Sequence, residues 1–173
     1  MESIMAQSKS GWEGRVTARI RAATPEQAWS LLKGFCSLHR WVRSVRTCYK
    51  LEGVDGEPGC VRYCGGPLNR SDPTQPTGWS KERLLAVDPA GRSYTYEIVE
   101  TNKGFGRYRA TFAVAPDPDC AAEGGCCLVW SFAADPVKGW TQQEFVAYLE
   151  KLAQGVAERV EAEIGLGVAS ADE

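Results

Sequence analysis

Histidine and methionine are nearly missing from this chain: 173 residues include one His and two Met. A lone His39 cannot build a histidine-rich metal centre, and no CxxC motif is present to replace one. No metal is therefore expected. Long apolar runs are absent as well, so no segment reads as a membrane-spanning helix. An excess of one charge is also lacking. The formal net charge is −2, with acids and bases interspersed, which leaves no electrostatic footprint for nucleic acid or for an anionic membrane. Met1 to Gly11 are polar and carry no apolar signal-peptide core. The expected compartment is the cytoplasm.

What is present is a core. Hydrophobic residues make up 43% of the chain, six of them Trp, and the length suits one domain. The expected organisation is a flexible tail over 1–11, a single domain over 12–165, and a flexible tail over 166–173. Seven cysteines (Cys36, Cys48, Cys60, Cys64, Cys120, Cys126 and Cys127) are odd in number and irregular in spacing. With no secretory route visible they read as free, structural thiols.

From Trp12 to Ala22 apolar and polar residues alternate, the pattern of a half-buried strand. Thr24-Pro25-Glu26-Gln27 then opens a helix: a capping Thr, Pro in the first turn, and Gln at the third position. It carries Ala28, Trp29, Leu31 and Leu32 and stops at Gly34. A second short helix is expected over Cys36 to Val42. Strands follow at Val45–Glu52, Gly59–Cys64, Trp79–Asp88, Ser93–Thr101, Gly106–Ala115 and Cys126–Ala133. Turn chemistry separates them at Asp55–Pro58, Asp88–Gly91 and Pro116–Gly125. Gly65 to Thr77 reads as a long loop. Thr141-Gln142-Gln143-Glu144 caps a last helix whose Phe145, Leu149, Leu152, Val156, Val160 and Ile164 recur every three or four residues. Gly165-Leu166-Gly167 is expected to end it. Strand, two short helices, a meander of strands and a long helix make an α+β helix-grip fold. Its curved antiparallel sheet of about seven strands wraps the C-terminal helix and encloses a cavity for a small molecule.

Side chains two apart on a strand share a face. Tyr94, Tyr96 and Ile98 form one inward set; Tyr108, Ala110, Phe112 and Val114 form another; Leu128, Trp130 and Phe132 form a third. Two charges interrupt this apolar interior. Arg62 shares a face with Cys60 and Cys64, and Glu82 shares one with Leu84 and Ala86. A lone buried charge is costly, but a buried Arg–Glu pair is tolerable. Parity alone leaves open whether the two point inward as a pair or outward to solvent. His39 reads as structural or exposed, and Arg40, Arg43 and Arg46 as a solvated face.

Several segments, in order, resemble the plant lachrymatory factor synthases. Thr24-Pro25-Glu26-Gln27-Ala28-Trp29 is similar to their first helix, Gly59-Cys60-Val61-Arg62-Tyr63 to their arginine strand, and Trp79-Ser80-Lys81-Glu82-Arg83-Leu84 to their glutamate strand. Tyr94-Thr95-Tyr96, Tyr108-Arg109-Ala110-Thr111 and Trp130-Ser131-Phe132 match further strands. The resemblance runs from about Trp12 to about Val160. It implies membership of the START-like, pollen-allergen-like superfamily and a cofactor-free isomerase acting on 1-propenesulfenic acid or a related molecule. An upstream lyase would supply such an unstable substrate. The implied catalytic residues are Arg62 and Glu82 with Tyr108 in support. Trp79, Tyr96, Phe112, Trp130, Phe132, Leu149 and Leu152 are the expected substrate-binding wall. The chain departs from the family at Gly78, where a large aromatic is expected, at Leu152, where a Trp is expected, and in the insert Asp72 to Pro76. These changes reshape the pocket. The same cavity equally serves a non-catalytic module that binds or senses a hydrophobic or amphiphilic ligand.

Overall fold

The computed structural model describes residues 11–117 and 125–171, with 167–171 as backbone only. Cys120, most of the turn expected at Pro116–Gly125, and nearly all of the N-terminal tail lie outside the described residues. β1 (Trp12–Ile20) realises the alternation: Val16, Ala18 and Ile20 are buried, while Arg15, Thr17 and Arg19 face solvent. It ends two residues earlier than expected, because the chain turns through Ala22 at a φ of 54°. In α1 (Pro25–Leu32) both arms of the capping box form, Thr24 Oγ1 accepting from Gln27 N and Gln27 Oε1 from Thr24 N. The second helix is a 3-10 segment over Phe35–Arg40, not an α-helix over Cys36–Val42. Non-helical angles at Ser37 kink it, and Trp41 and Val42 follow as buried loop residues.

Six strands follow: β2 (Thr47–Glu52), β3 (Val61–Gly65), β4 (Trp79–Asp88), β5 (Ser93–Thr101), β6 (Arg109–Pro116) and β7 (Cys126–Ala134). They form one curved antiparallel sheet in the order β1-β7-β6-β5-β4-β3-β2. β6 starts at Arg109 rather than Gly106, since Arg107 at a φ of 45° breaks the extended run. The last helix, α2 (Gln142–Ala171), continues through Gly165 and Gly167, so 166–171 is helix rather than tail. A mid-helix glycine costs about 1 kcal/mol and does not by itself terminate a helix. At the other end Thr141 Oγ1 accepts from Glu144 N, as expected of the cap. The Glu144 carboxylate takes the Thr141 hydroxyl instead of its backbone N–H.

α2 lies on the sheet with Phe145, Leu149, Ala153, Val156, Ala157 and Val160 buried. Phe145 meets an aromatic collar of Trp12, Phe105, Tyr108 and Phe132, with ring centroids 4.9–6.4 Å away. One inward assignment fails. A bulge between Leu84 and Ala86 flips the parity of β4, so Ala86 is exposed and Val87 packs on the core instead. Before that bulge the alternation holds, and it carries Ser80, Glu82 and Leu84 inward.

Candidate functional site

The sheet register places the two interior charges side by side, Arg62 on β3 opposite Glu82 on β4. Both are buried, at 1% and 8% exposure. Arg62 Nε and Nη2 donate to Glu82 Oε1 over 2.8 and 2.7 Å. Arg62 Nη1 donates to the carbonyl of Phe35, the first residue of the 3-10 segment, at 2.6 Å. The guanidinium carbon sits 3.9 Å from the Phe35 ring centroid and 4.9 Å from that of Tyr96. Such stacking supports a desolvated cation. Burial opposes the charge on Arg62, but Glu82, then Cys64, Tyr94 and Tyr96, hold its pKa well above the ordinary value. The pair is therefore complete on the Arg62 side.

Glu82 is less fully engaged. Its Oε1 also lies 3.7 Å from the Cys64 thiol, and its Oε2 accepts from Ser80 Oγ at 3.1 Å. Among these contacts, Oε2 receives a single donor. Glu82 stands on the wall of a cavity of about 70 Å³, open at its mouth, with Cys64, Ser80, Tyr96, Tyr108 and Trp130 around it. Leu149 and Leu152 of α2 close one side, and the exposed Lys103 stands among the lining residues.

Apart from the Glu82 carboxylate, the polar groups facing this space can donate. The Tyr96 and Tyr108 hydroxyls lie 3.4 Å apart. Burial first of all pushes both well up, so they remain protonated throughout the neutral range. The Trp130 indole N–H points towards the Tyr108 hydroxyl, but its approach falls short of hydrogen-bond geometry and it is left without a protein acceptor.

The expected site residues divide into three groups. Glu82, Tyr96, Tyr108, Trp130, Leu149 and Leu152 share the cavity. Arg62 is brought to the same place but lies behind Glu82, outside the cavity wall. Trp79, Phe112 and Phe132 do not line it. Trp79 is on the opposite face of β4, stacked on Tyr63 and approached by Lys81. Phe112 is sandwiched between Tyr94 and Trp130, and Phe132 packs edge-on against Phe145; both are core. The tertiary structure also adds Ser80, Phe35 and Tyr94. Ser80 was legible as the same-face neighbour two residues before Glu82. Phe35 was not, because its role rests on a backbone carbonyl and a ring face that only the turn after α1 presents.

An open-mouthed pocket between a curved sheet and its gripping helix, with one buried carboxylate and several donors, defines a small-molecule-binding domain of the helix-grip class. The family model for polyketide cyclase/dehydrase and lipid transport proteins matches residues 12–165, and the chain belongs to that family. Among solved structures the chain resembles the protein XoxI from Bacillus cereus, with a TM-score of 0.67 and 22% identity over 87% of this chain and 94% of that one. It also resembles a putative uncharacterised protein from Bacillus thuringiensis, with a TM-score of 0.65 and 19% identity over 88% and 98% of the two chains. At these identities the likeness is one of fold. No helix among the described residues is long and apolar enough to cross a membrane.

Proposed function

We propose that this domain is a cofactor-independent isomerase that moves a proton within a small reactive molecule, with Glu82 as the acid–base group. The observation that carries the reading is the half-engaged Glu82 carboxylate. Oε1 is anchored by a fully buried Arg62, while Oε2 has Ser80 as its one donor among the described residues, on the wall of a cavity rich in hydroxyls. A purely structural ion pair needs no cavity beside it. The resemblance to lachrymatory factor synthases supplies the substrate class, 1-propenesulfenic acid or a relative delivered by an upstream lyase.

On such a substrate Glu82 takes the S–OH proton. The C=C electron pair then captures a proton from the Glu82 carboxylic acid at the carbon beyond the one bearing sulfur, which restores the carboxylate as the thial S-oxide forms. Tyr108 is the group placed to hold the substrate oxygen. Arg62 is a positioning residue in this scheme. It lies behind Glu82, outside the cavity wall, so it fixes the carboxylate and does not touch the substrate oxygen.

The test is Glu82→Gln, assayed with enzymatically generated 1-propenesulfenic acid in deuterated water. Turnover should fall by roughly two to four orders of magnitude, the scale of general acid–base catalysis, while ligand affinity changes little. Deuterium at the product carbon should be lost with turnover. Full activity in the variant would remove Glu82 from the chemistry. If instead wild type binds ligand without turnover and the variant only loses affinity, the domain is a binding module.

A further inference from the structure

Two thiol pairs flank the Arg62 strand. Cys48 Sγ lies 3.8 Å from Cys64 Sγ, and Cys36 Sγ lies 3.6 Å from Cys60 Sγ. The spacings are alike, but the surroundings are opposite. Cys48 and Cys64 are register partners across β2 and β3, and β2 is an edge strand of the sheet. Cys48 is half-buried, and Cys64 is buried in the cavity wall against Glu82. The groups that face Cys48 are the Cys64 thiol, the Arg62 guanidinium, the Leu38 backbone and the exposed His39. Together they pull it down to about 6 against the effect of burial, the hydrogen bond from Cys64 contributing most. Its partner moves the other way: Cys64 is raised well above the ordinary thiol value, first by that same hydrogen bond and then by burial. Either sulfur can donate in the contact between them, and Cys48, nearer the sheet edge, is the one that reaches the thiolate more readily.

The Cys36–Cys60 pair has the reverse setting. Burial, the Cys60 thiol and the Asp55 charge all push Cys36 up, so it stays protonated. Burial likewise pushes Cys126 up to about 11 and raises Cys127.

We propose that Cys48 and Cys64 are a hydroperoxide-oxidised dithiol, Cys48 taking the first oxidation and Cys64 closing a cross-strand disulfide in the wall of the cavity. The Cys48 thiolate attacks the peroxide, the O–O bond breaks, and Cys48 becomes a sulfenic acid while the departing oxygen takes up a proton as water or an alcohol. The Cys64 sulfur then attacks the Cys48 sulfur. The S–O bond breaks, and the hydroxyl leaves with the Cys64 proton as a second water. Both sulfurs are oxidised and the peroxide is reduced. The crosslink also removes the S–H that faces Glu82 Oε1, a consequence for turnover that rests on the function proposed above. The oxidation itself does not depend on that function.

The test is made on the reduced, desalted protein at pH 7 with stoichiometric hydrogen peroxide, followed by alkylation and peptide mapping by mass. The Cys48–Cys64 disulfide should be the main first product. In Cys64→Ser, dimedone should capture a sulfenic acid on Cys48. In Cys48→Ser, peroxide consumption should slow by at least about ten-fold, the scale set by thiolate availability. In the wild-type protein, iodoacetamide labelling of Cys48 should reach half its plateau rate near pH 6, whereas Cys36 should still be accelerating at pH 8. Cys36–Cys60 forming first or in equal amount would overturn the proposal. So would an undiminished rate in Cys48→Ser, or no dimedone adduct on Cys48 in Cys64→Ser.

Discussion

Arg62 shows how one side chain decides what its neighbour is. Placed at 1% exposure, it has two bonds to Glu82, one to a backbone carbonyl, and two aromatic faces around it. Removing one partner of such a pair is far more damaging than removing both, because the remaining charge keeps its desolvation cost. Arg62→Leu should therefore lose about 3–5 kcal/mol of stability in chemical denaturation at neutral pH. The deficit should shrink on acidification, since protonating the stranded carboxylate removes the unpaired charge. A variant as stable as wild type at pH 7 would mean that the pair is solvated in solution. The placement of Arg62 and Glu82 on strands was readable from the sequence. Their facing each other was implied only by the resemblance to lachrymatory factor synthases, because parity fixes the face of a strand and not the register between strands.

At the scale of elements, the grip depends on how closely α2 approaches β1. Gly14 lies opposite Phe132 in the register, and a Cβ there would stand 2.6 Å from Phe132 Cε1 and 3.4 Å from Val146 Cγ2. Phe132 cannot withdraw easily, since its far side is held by Phe145. Gly14→Ala should therefore destabilise the fold by about 1–3 kcal/mol, the range for overpacking a filled core. The denaturation midpoint measures this, and an unchanged midpoint would show that the Phe132 ring has another place to go. The alternation of β1 and the three–four spacing of α2 were plain in the sequence. The end of α2 was not: glycines at 165 and 167 read as a stop, yet the helical backbone runs on to Ala171.

Over the whole molecule, the pocket is where this chain departs from the pattern it resembles. Leu152 is half-buried on the cavity wall, while Gly78 lets the Lys103 stem pack 3.1–3.6 Å from where its Cβ would be. Lys103 is itself a lining residue, so a small residue at 78 shapes the pocket through a neighbour. Leu152→Trp should fill cavity space without entering the sealed core. Affinity for a bulky apolar probe should fall by about ten-fold or more, the equivalent of losing one or two buried methylenes of contact. The melting temperature should move by only a few degrees. A large drop in stability with unchanged binding would place Leu152 in the core instead of the pocket.

The sequence by itself determined the order of elements, the inward faces of most strands, the two helix caps and the single domain-sized core. These are local properties, set by side-chain periodicity and by hydrogen bonds a few residues apart. It also singled out Arg62 and Glu82, because charges interrupting an apolar face stand out in the pattern. The tertiary structure decided the rest. A bulge in β4 reversed the side of Ala86 and Val87, and the shape of the cavity left Phe112 and Phe132 in the core. The face of β4 opposite Glu82 carries Trp79 away from the pocket and onto Tyr63. The Phe35 carbonyl that completes Arg62, and the pairing of Cys48 with Cys64, join residues 27 and 16 positions apart. Contacts of that kind depend on register and chain reversal, which no short-range pattern encodes.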